Sequence, residues 1–156
     1  MMKPLSRRSL LIVGVGVSAL TVAGCAQTAR PSSELAVYKS PTCGCCGAWV
    51  EHMTAAGFQA RITEVTDTAS VRSAQGVPAP LASCHTAVIG GYFLEGHVPA
   101  EDVRRLLAER PDALGLAVPA MPLGSPGMET PDGQREPYQT MLVLRGGGTR
   151  TFARHS

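Results

Sequence analysis

Apolar and polar positions mark out a sequence of short elements from Leu35 onward. Leu35-Ala36-Val37-Tyr38-Lys39 alternates as a strand does and stops at Ser40-Pro41. Trp49, Val50, Met53 and Ala56 then recur at helical spacing ahead of Gly57, a residue suited to ending a helix. Phe58 to Val65 reads as a second strand. A strand, a helix and a strand in this order form a crossover unit, so the two strands are expected to run parallel.

Thr66 to Gln75 predicts a short polar helix capped by Asp67 or Thr66 and stopped by Gly76. Val77-Pro78-Ala79-Pro80 predicts an extended path, because the residue before a proline is pushed out of the helical region. Thr86 to Ile89, the Gly90-Gly91 turn and Tyr92 to Glu95 read as a hairpin. Pro99 opens a helix with Val103, Leu106 and Leu107 on one face, and Pro111 closes it. The order β-α-β-α-β-β-α is that of the thioredoxin fold, which makes α/β the expected class. Past Pro111 the pattern weakens. Val118 to Met128 carries three prolines and reads as a methionine- and proline-rich loop, and Tyr138 to Leu144 with Thr149 to Arg154 reads as a C-terminal hairpin around Gly146 to Gly148. A structureless loop of this length is uncommon unless it is functional or disordered.

The front of the chain has a different character. Lys3, Arg7 and Arg8 precede an apolar run from Leu10 to Ala23 that is followed by small residues, so residues 1–25 read as an export signal. Ser6-Arg7-Arg8-Ser9-Leu10-Leu11 resembles a twin-arginine signal, which carries folded proteins. Val22-Ala23-Gly24-Cys25 resembles a bacterial lipobox, which makes Cys25 the expected lipidation site and a lipid anchor in the membrane the expected attachment. Gln27 is not the aspartate associated with inner-membrane retention, so a periplasmic, cell-envelope location with the outer membrane favoured is expected. Residues 26–34 read as a polar tether, and residues 35–156 as one domain with one modest core.

Removing the signal changes the charge. Three of the 14 Lys and Arg lie in it and none of the 12 Asp and Glu, so the remainder carries 11 − 12 = −1. Lys39 is then the only lysine, and no basic stripe argues for nucleic acid.

The chemistry concentrates in Cys43-Gly44-Cys45-Cys46, three thiols in four positions between a strand and a helix. A helix starting there aims its unpaired N–H groups at the sulfurs and favours thiolate, which is both a nucleophile and a soft-metal ligand. Metal capture and disulfide exchange therefore compete. Cys84-His85, at the start of the third strand, supplies a fourth thiol that the expected topology turns toward the other three.

The motifs T-C-G-C-C-x-x-W, V-P-x-x-L-x-S-C-H-T, E-G-H-V-P and V-P-x-M-P-x-G-S-P-G-M, in this order from Leu35 to Met128, resemble the copper-resistance CopG type of bacterial envelope protein. The resemblance implies a thioredoxin-like fold, copper binding and a redox role in copper tolerance. It maps a metal site onto Cys43, Cys45, Cys46 and Cys84, with Met121 and Met128 from the loop as candidate additional ligands; by residue type His85 is a further candidate ligand. Ala120 departs from the pattern where the family often has glycine, which implies a relaxed backbone angle there.

The residue chemistry agrees with copper. Thiolates and thioethers select Cu(I), and bridging thiolates can hold more than one ion. Zinc is the less favoured alternative, since structural zinc prefers C-x₂₋₄-C pairs separated by loops. His97 is a further candidate ligand but reads first as a turn histidine satisfied by backbone, His52 as a solvated helix residue and His155 as part of a disordered tail. Trp49 and Met53 fall on the apolar stripe and read as core. Glu95 and Glu101 have no partner carboxylate nearby in sequence, so acid–base hydrolysis has no support, and no catalytic residue is assigned. The expected function is Cu(I) capture, with copper redox chemistry or transfer to a copper exporter or another envelope copper protein. The alternative is a thiol–disulfide oxidoreductase using Cys43 and Cys46.

Overall fold

The computed structural model describes residues 34–156. The expected export signal, the lipidation site Cys25 and nearly all of the tether lie outside the described residues. The last tether residue, Glu34, is already in a strand.

The elements are β1 (Glu34–Lys39), α1 (Gly44–Ala55), β2 (Gln59–Glu64), α2 (Thr68–Ala74), a 3-10 turn (Ala79–Leu81), β3 (His85–Ile89), β4 (Tyr92–Glu95), α3 (Ala100–Glu109), β5 (Ala113–Ala117), β6 (Tyr138–Leu144) and β7 (Thr149–His155). They form a mixed α/β domain on one seven-stranded sheet of order β2-β1-β3-β4-β5-β6-β7. β1 and β2 are parallel, as the crossover unit requires, and β4 and β5 are parallel too; the other neighbours are antiparallel. The expected β-α-β-α-β-β-α order holds through α3.

The main core lies between α1, α3 and the sheet. Trp49, Val50 and Met53 on α1 and Val103 and Leu106 on α3 are buried with Leu35, Val37, Ala87, Leu94, Leu116 and Leu142. Trp49 is wholly enclosed and its indole N–H donates to the Val98 carbonyl at 2.9 Å, so its polar edge is satisfied inside the core. Truncating an aromatic side chain so placed costs about 3–5 kcal/mol. The turn after α1 is made by Gly57 at φ 92°, with Phe58 N–H donating back to the Met53 carbonyl at 3.1 Å.

A smaller cluster is built from Val77, Phe93 and Val143. Helix α2 buries no side chain. Asp67 caps it by accepting from Ser70 N–H at 3.0 Å, and Arg72 anchors it to the sheet.

Three local expectations need correction. Pro78 is extended, but Ala79–Leu81 closes into a 3-10 turn, because Pro80 within it has the φ such a turn needs. Ala113–Ala117 is a strand that the sequence pattern concealed. It is wedged between β4 and β6 and buried on both faces, so it shows no alternation, and Gly115 passes so close to β4 that a Cβ there would sit 2.1 Å from the Phe93 carbonyl oxygen. His155 is no disordered tail: it ends β7, stacks on Tyr138 with ring centroids 4.6 Å apart and lies 2.9 Å from the buried Asp102 carboxylate.

Candidate metal centre

The strand-to-helix junction is tight. Cys43 N–H donates to the Ser40 carbonyl at 3.1 Å, and Cys43 itself sits at the helix cap in extended backbone with no side-chain cap. Cys45 and Cys46 therefore occupy the first turn of α1, which contains no acidic residue. The sulfurs are thereby carried at the N-terminal, positive end of the helix.

Four sulfurs converge here. The Sγ atoms of Cys43, Cys45, Cys46 and Cys84 all lie within 4.8 Å of one another. Cys43 and Cys46 are joined as a disulfide, whereas Cys45 and Cys84 are free thiols. Cys45 Sγ is 3.5 Å from Cys43 Sγ and 4.0 Å from the thioether sulfur of Met121, which is 45% exposed. Cys46 is fully buried and its Sγ lies 3.8 Å from the Cys84 carbonyl oxygen.

Cys84 faces a second set of donors. Its Sγ is 3.2 Å from His85 Nδ1 and 3.0 Å from His97 Nε2, and these three residues form a second group able to hold a metal ion. Both histidines are fully buried. His97 Nδ1 lies 2.7 Å from the Pro126 carbonyl, which can only accept, so Nδ1 carries the proton and Nε2 offers its lone pair to Cys84. His85 packs on Trp49 with centroids 4.3 Å apart, and its Nε2 is the one buried side-chain nitrogen or oxygen among the described residues that has no partner.

Burial sets the protonation of this inner group. Burial, then the neighbouring Cys45, pushes the Cys84 thiol up to about 12. Burial, then His97 and Lys39, pulls His85 down to about 3, and burial also lowers His97 against the opposing pull of the Pro126 hydrogen bond. Both imidazoles are therefore neutral at physiological pH, the form that ligates metals.

The segment 118–137 carries no helix or strand and closes over the cluster. Gly127, at φ 85°, rests on the first turn of α1, where a Cβ would lie 2.7 Å from Trp49 N and 2.8 Å from the Cys45 carbonyl oxygen. Ala120 keeps the left-handed angle that its lack of glycine was expected to relax, at φ 60°, and its carbonyl accepts from Ser83 Oγ at 2.6 Å. Met121 reaches the cluster. Met128 is half-buried and contributes to the loop by its backbone, donating to the Ser125 carbonyl at 2.8 Å and accepting from Gly124 N–H at 2.9 Å.

His97 is the site residue whose place the sequence reading understated. The backbone partner expected of it exists, but its other nitrogen points at Cys84; the signal was a histidine in each of the motifs S-C-H-T and E-G-H-V-P. His52 is not merely solvated, since its Nε2 accepts from Ala100 N–H at 3.2 Å and so caps α3.

A mixed α/β domain with thiols, a thioether and neutral imidazoles gathered at one helix N-terminus defines a candidate soft-metal-binding protein. Residues 81–128 match the family described as a protein of unknown function, DUF411. Two solved structures of copper resistance protein CopG, forms 2 and 1, are each 43% identical to this chain, cover 79% and 80% of it and 98% of their own length, and superpose with TM-scores of 0.75 and 0.74. No curated protein matches. The chain thus belongs to the CopG copper-resistance family.

Proposed function

We propose that this protein captures Cu(I) in the bacterial cell envelope on Cys43, Cys45, Cys46 and Cys84, within a thioredoxin-like arrangement, and serves copper resistance by changing copper's oxidation state or passing it on. The observation that carries the reading is the convergence of four Sγ atoms within 4.8 Å. Four soft donors so close fit Cu(I), and sulfur bridging accommodates more than one ion. Crowding three of them into four residues suits zinc less well. His85 and His97 extend the donor set inward from Cys84, and Met121 extends it outward, with Met128 a further loop donor. The protein would act from the periplasmic face of a membrane, held by a lipid on Cys25, and would exchange copper with an exporter or another envelope copper protein.

The disulfide between Cys43 and Cys46 supports a second reading, a thiol–disulfide oxidoreductase. It also sets a condition on the first: two electrons must be delivered to that bond before both sulfurs can serve as thiolates.

Anaerobic titration of the reduced protein with Cu(I) and Zn(II) at equal supply tests the copper reading. Copper is expected to win, and Cys84→Ser to lower the copper count. Preference for zinc would overturn it. Full copper uptake by Cys84→Ser, together with loss of disulfide-reductase activity in Cys46→Ser, would favour the oxidoreductase.

A further inference from the structure

The sulfurs on α1 are fixed by the helix, but Cys84 lies in the short link between the 3-10 turn and β3 and needs something else to hold it. That link is gripped by a buried ion pair from outside the cluster. Glu95, at the end of β4, has no exposed side-chain surface; its Oε1 accepts from Ser83 N–H at 2.7 Å and from Arg72 Nε at 2.8 Å, and its Oε2 accepts from Thr86 Oγ1 at 2.6 Å. Arg72 Nη2 donates to the Ser83 carbonyl at 2.7 Å. One ion pair therefore holds both backbone groups of the residue before Cys84 and the hydroxyl of the residue two beyond it. The same Ser83 uses its hydroxyl to hold the Ala120 carbonyl, beside Met121.

We propose that Arg72 and Glu95 are positioning residues of the metal centre: their ion pair fixes Cys84 against the α1 sulfurs and, through Ser83, sets the loop that carries Met121. This rests on the copper reading above. The placement is wasteful for stability alone, since a buried ion pair rarely outperforms well-packed apolar side chains. What the pair provides is direction. A carboxylate accepting three hydrogen bonds and a guanidinium fork reaching two acceptors leave the link one arrangement. Groups that orient ligands in this way typically govern metal affinity about 10–100-fold without touching the metal.

Two variants test this. Arg72→Lys keeps a cation beside Glu95 but lacks the fork that also reaches Ser83. Arg72→Met combined with Glu95→Gln removes both charges while leaving an amide oxygen for Ser83 N–H, so that no lone charge is buried. In folded protein of either kind, Cu(I) affinity measured by chelator competition is expected to fall at least about tenfold. Alkylation of Cys84 in the copper-free, disulfide-intact protein, followed by peptide mass, is expected to accelerate while Cys45 alkylates at the wild-type rate. Wild-type affinity with an unchanged Cys84 alkylation rate would overturn the proposal. Wild-type protein that takes up no Cu(I) would instead sink the copper reading, and the alkylation comparison would still decide whether the ion pair positions Cys84.

Discussion

Acid should destabilise the copper-free protein through His85. This imidazole is held near a pKa of about 3, against 6.5 when unperturbed. Its folded value is depressed, so between these limits the unfolded chain binds the extra proton; the stability it confers is complete above pH 6.5 and is lost as pH falls toward 3. The slope is about 1.4 kcal/mol per pH unit for one such group, so a drop from pH 6.5 to pH 5 removes about 2 kcal/mol. With a urea m-value of about 2 kcal/mol/M, the unfolding midpoint moves by about 1 M. His97 shifts in the same direction and adds to the loss. His85→Phe isolates the contribution, because a phenyl ring retains contact with Trp49 and does not titrate. Urea unfolding at pH 7, 6 and 5 should show a shallower pH slope in the variant by one proton's worth. Equal slopes in the two proteins would refute the assignment of His85 as a buried neutral base.

Ala120→Gly relieves a left-handed alanine worth about 1–2 kcal/mol against an entropic loss of about 0.4–1, so thermal unfolding should report a net gain of about 0.5–1 kcal/mol. Gly127→Ala would drive a Cβ into Trp49 N and the Cys45 carbonyl; the loop should lift off α1, and limited proteolysis between residues 118 and 137 should quicken while far-UV circular dichroism changes little. Met121→Leu should leave the copper count unchanged but slow transfer of Cu(I) to an external chelator in stopped flow, since the exposed thioether beside Cys45 is the outermost soft donor described.

The sequence carried the first half of the fold because its helices and strands announce themselves locally. The Trp49, Val50 and Met53 stripe, the Gly57 stop, the Asp67 cap and the Gly90-Gly91 hairpin each depend on neighbours within a few residues. β5 does not: Gly115 is dictated by Phe93 on the neighbouring strand, with helix α3 between them in sequence, and reads locally as weak loop. The candidate site divides in the same way. Cys43, Cys45 and Cys46 stand out by adjacency, and Cys84 by topology. The Nε2 of His97 against Cys84, the Arg72–Glu95 pair and His155 against Asp102 join residues 13, 23 and 53 positions apart, and no local pattern encodes such meetings.

The four clustered cysteines come from positions 43 to 84, and the loop that closes on them reaches to 128, so the donors are together only once β1 has paired with β3 and the loop has docked on α1. An unfolded chain offers the three adjacent thiols but not the complete set. Free ligand then acts by mass action on the folding equilibrium: each hundredfold excess of copper over its dissociation constant adds about 2.7 kcal/mol to the folded side, less whatever the unfolded thiols bind. If the copper reading holds, loaded and empty protein should therefore differ in lifetime against proteases, so that copper supply would regulate how much of its own binder survives.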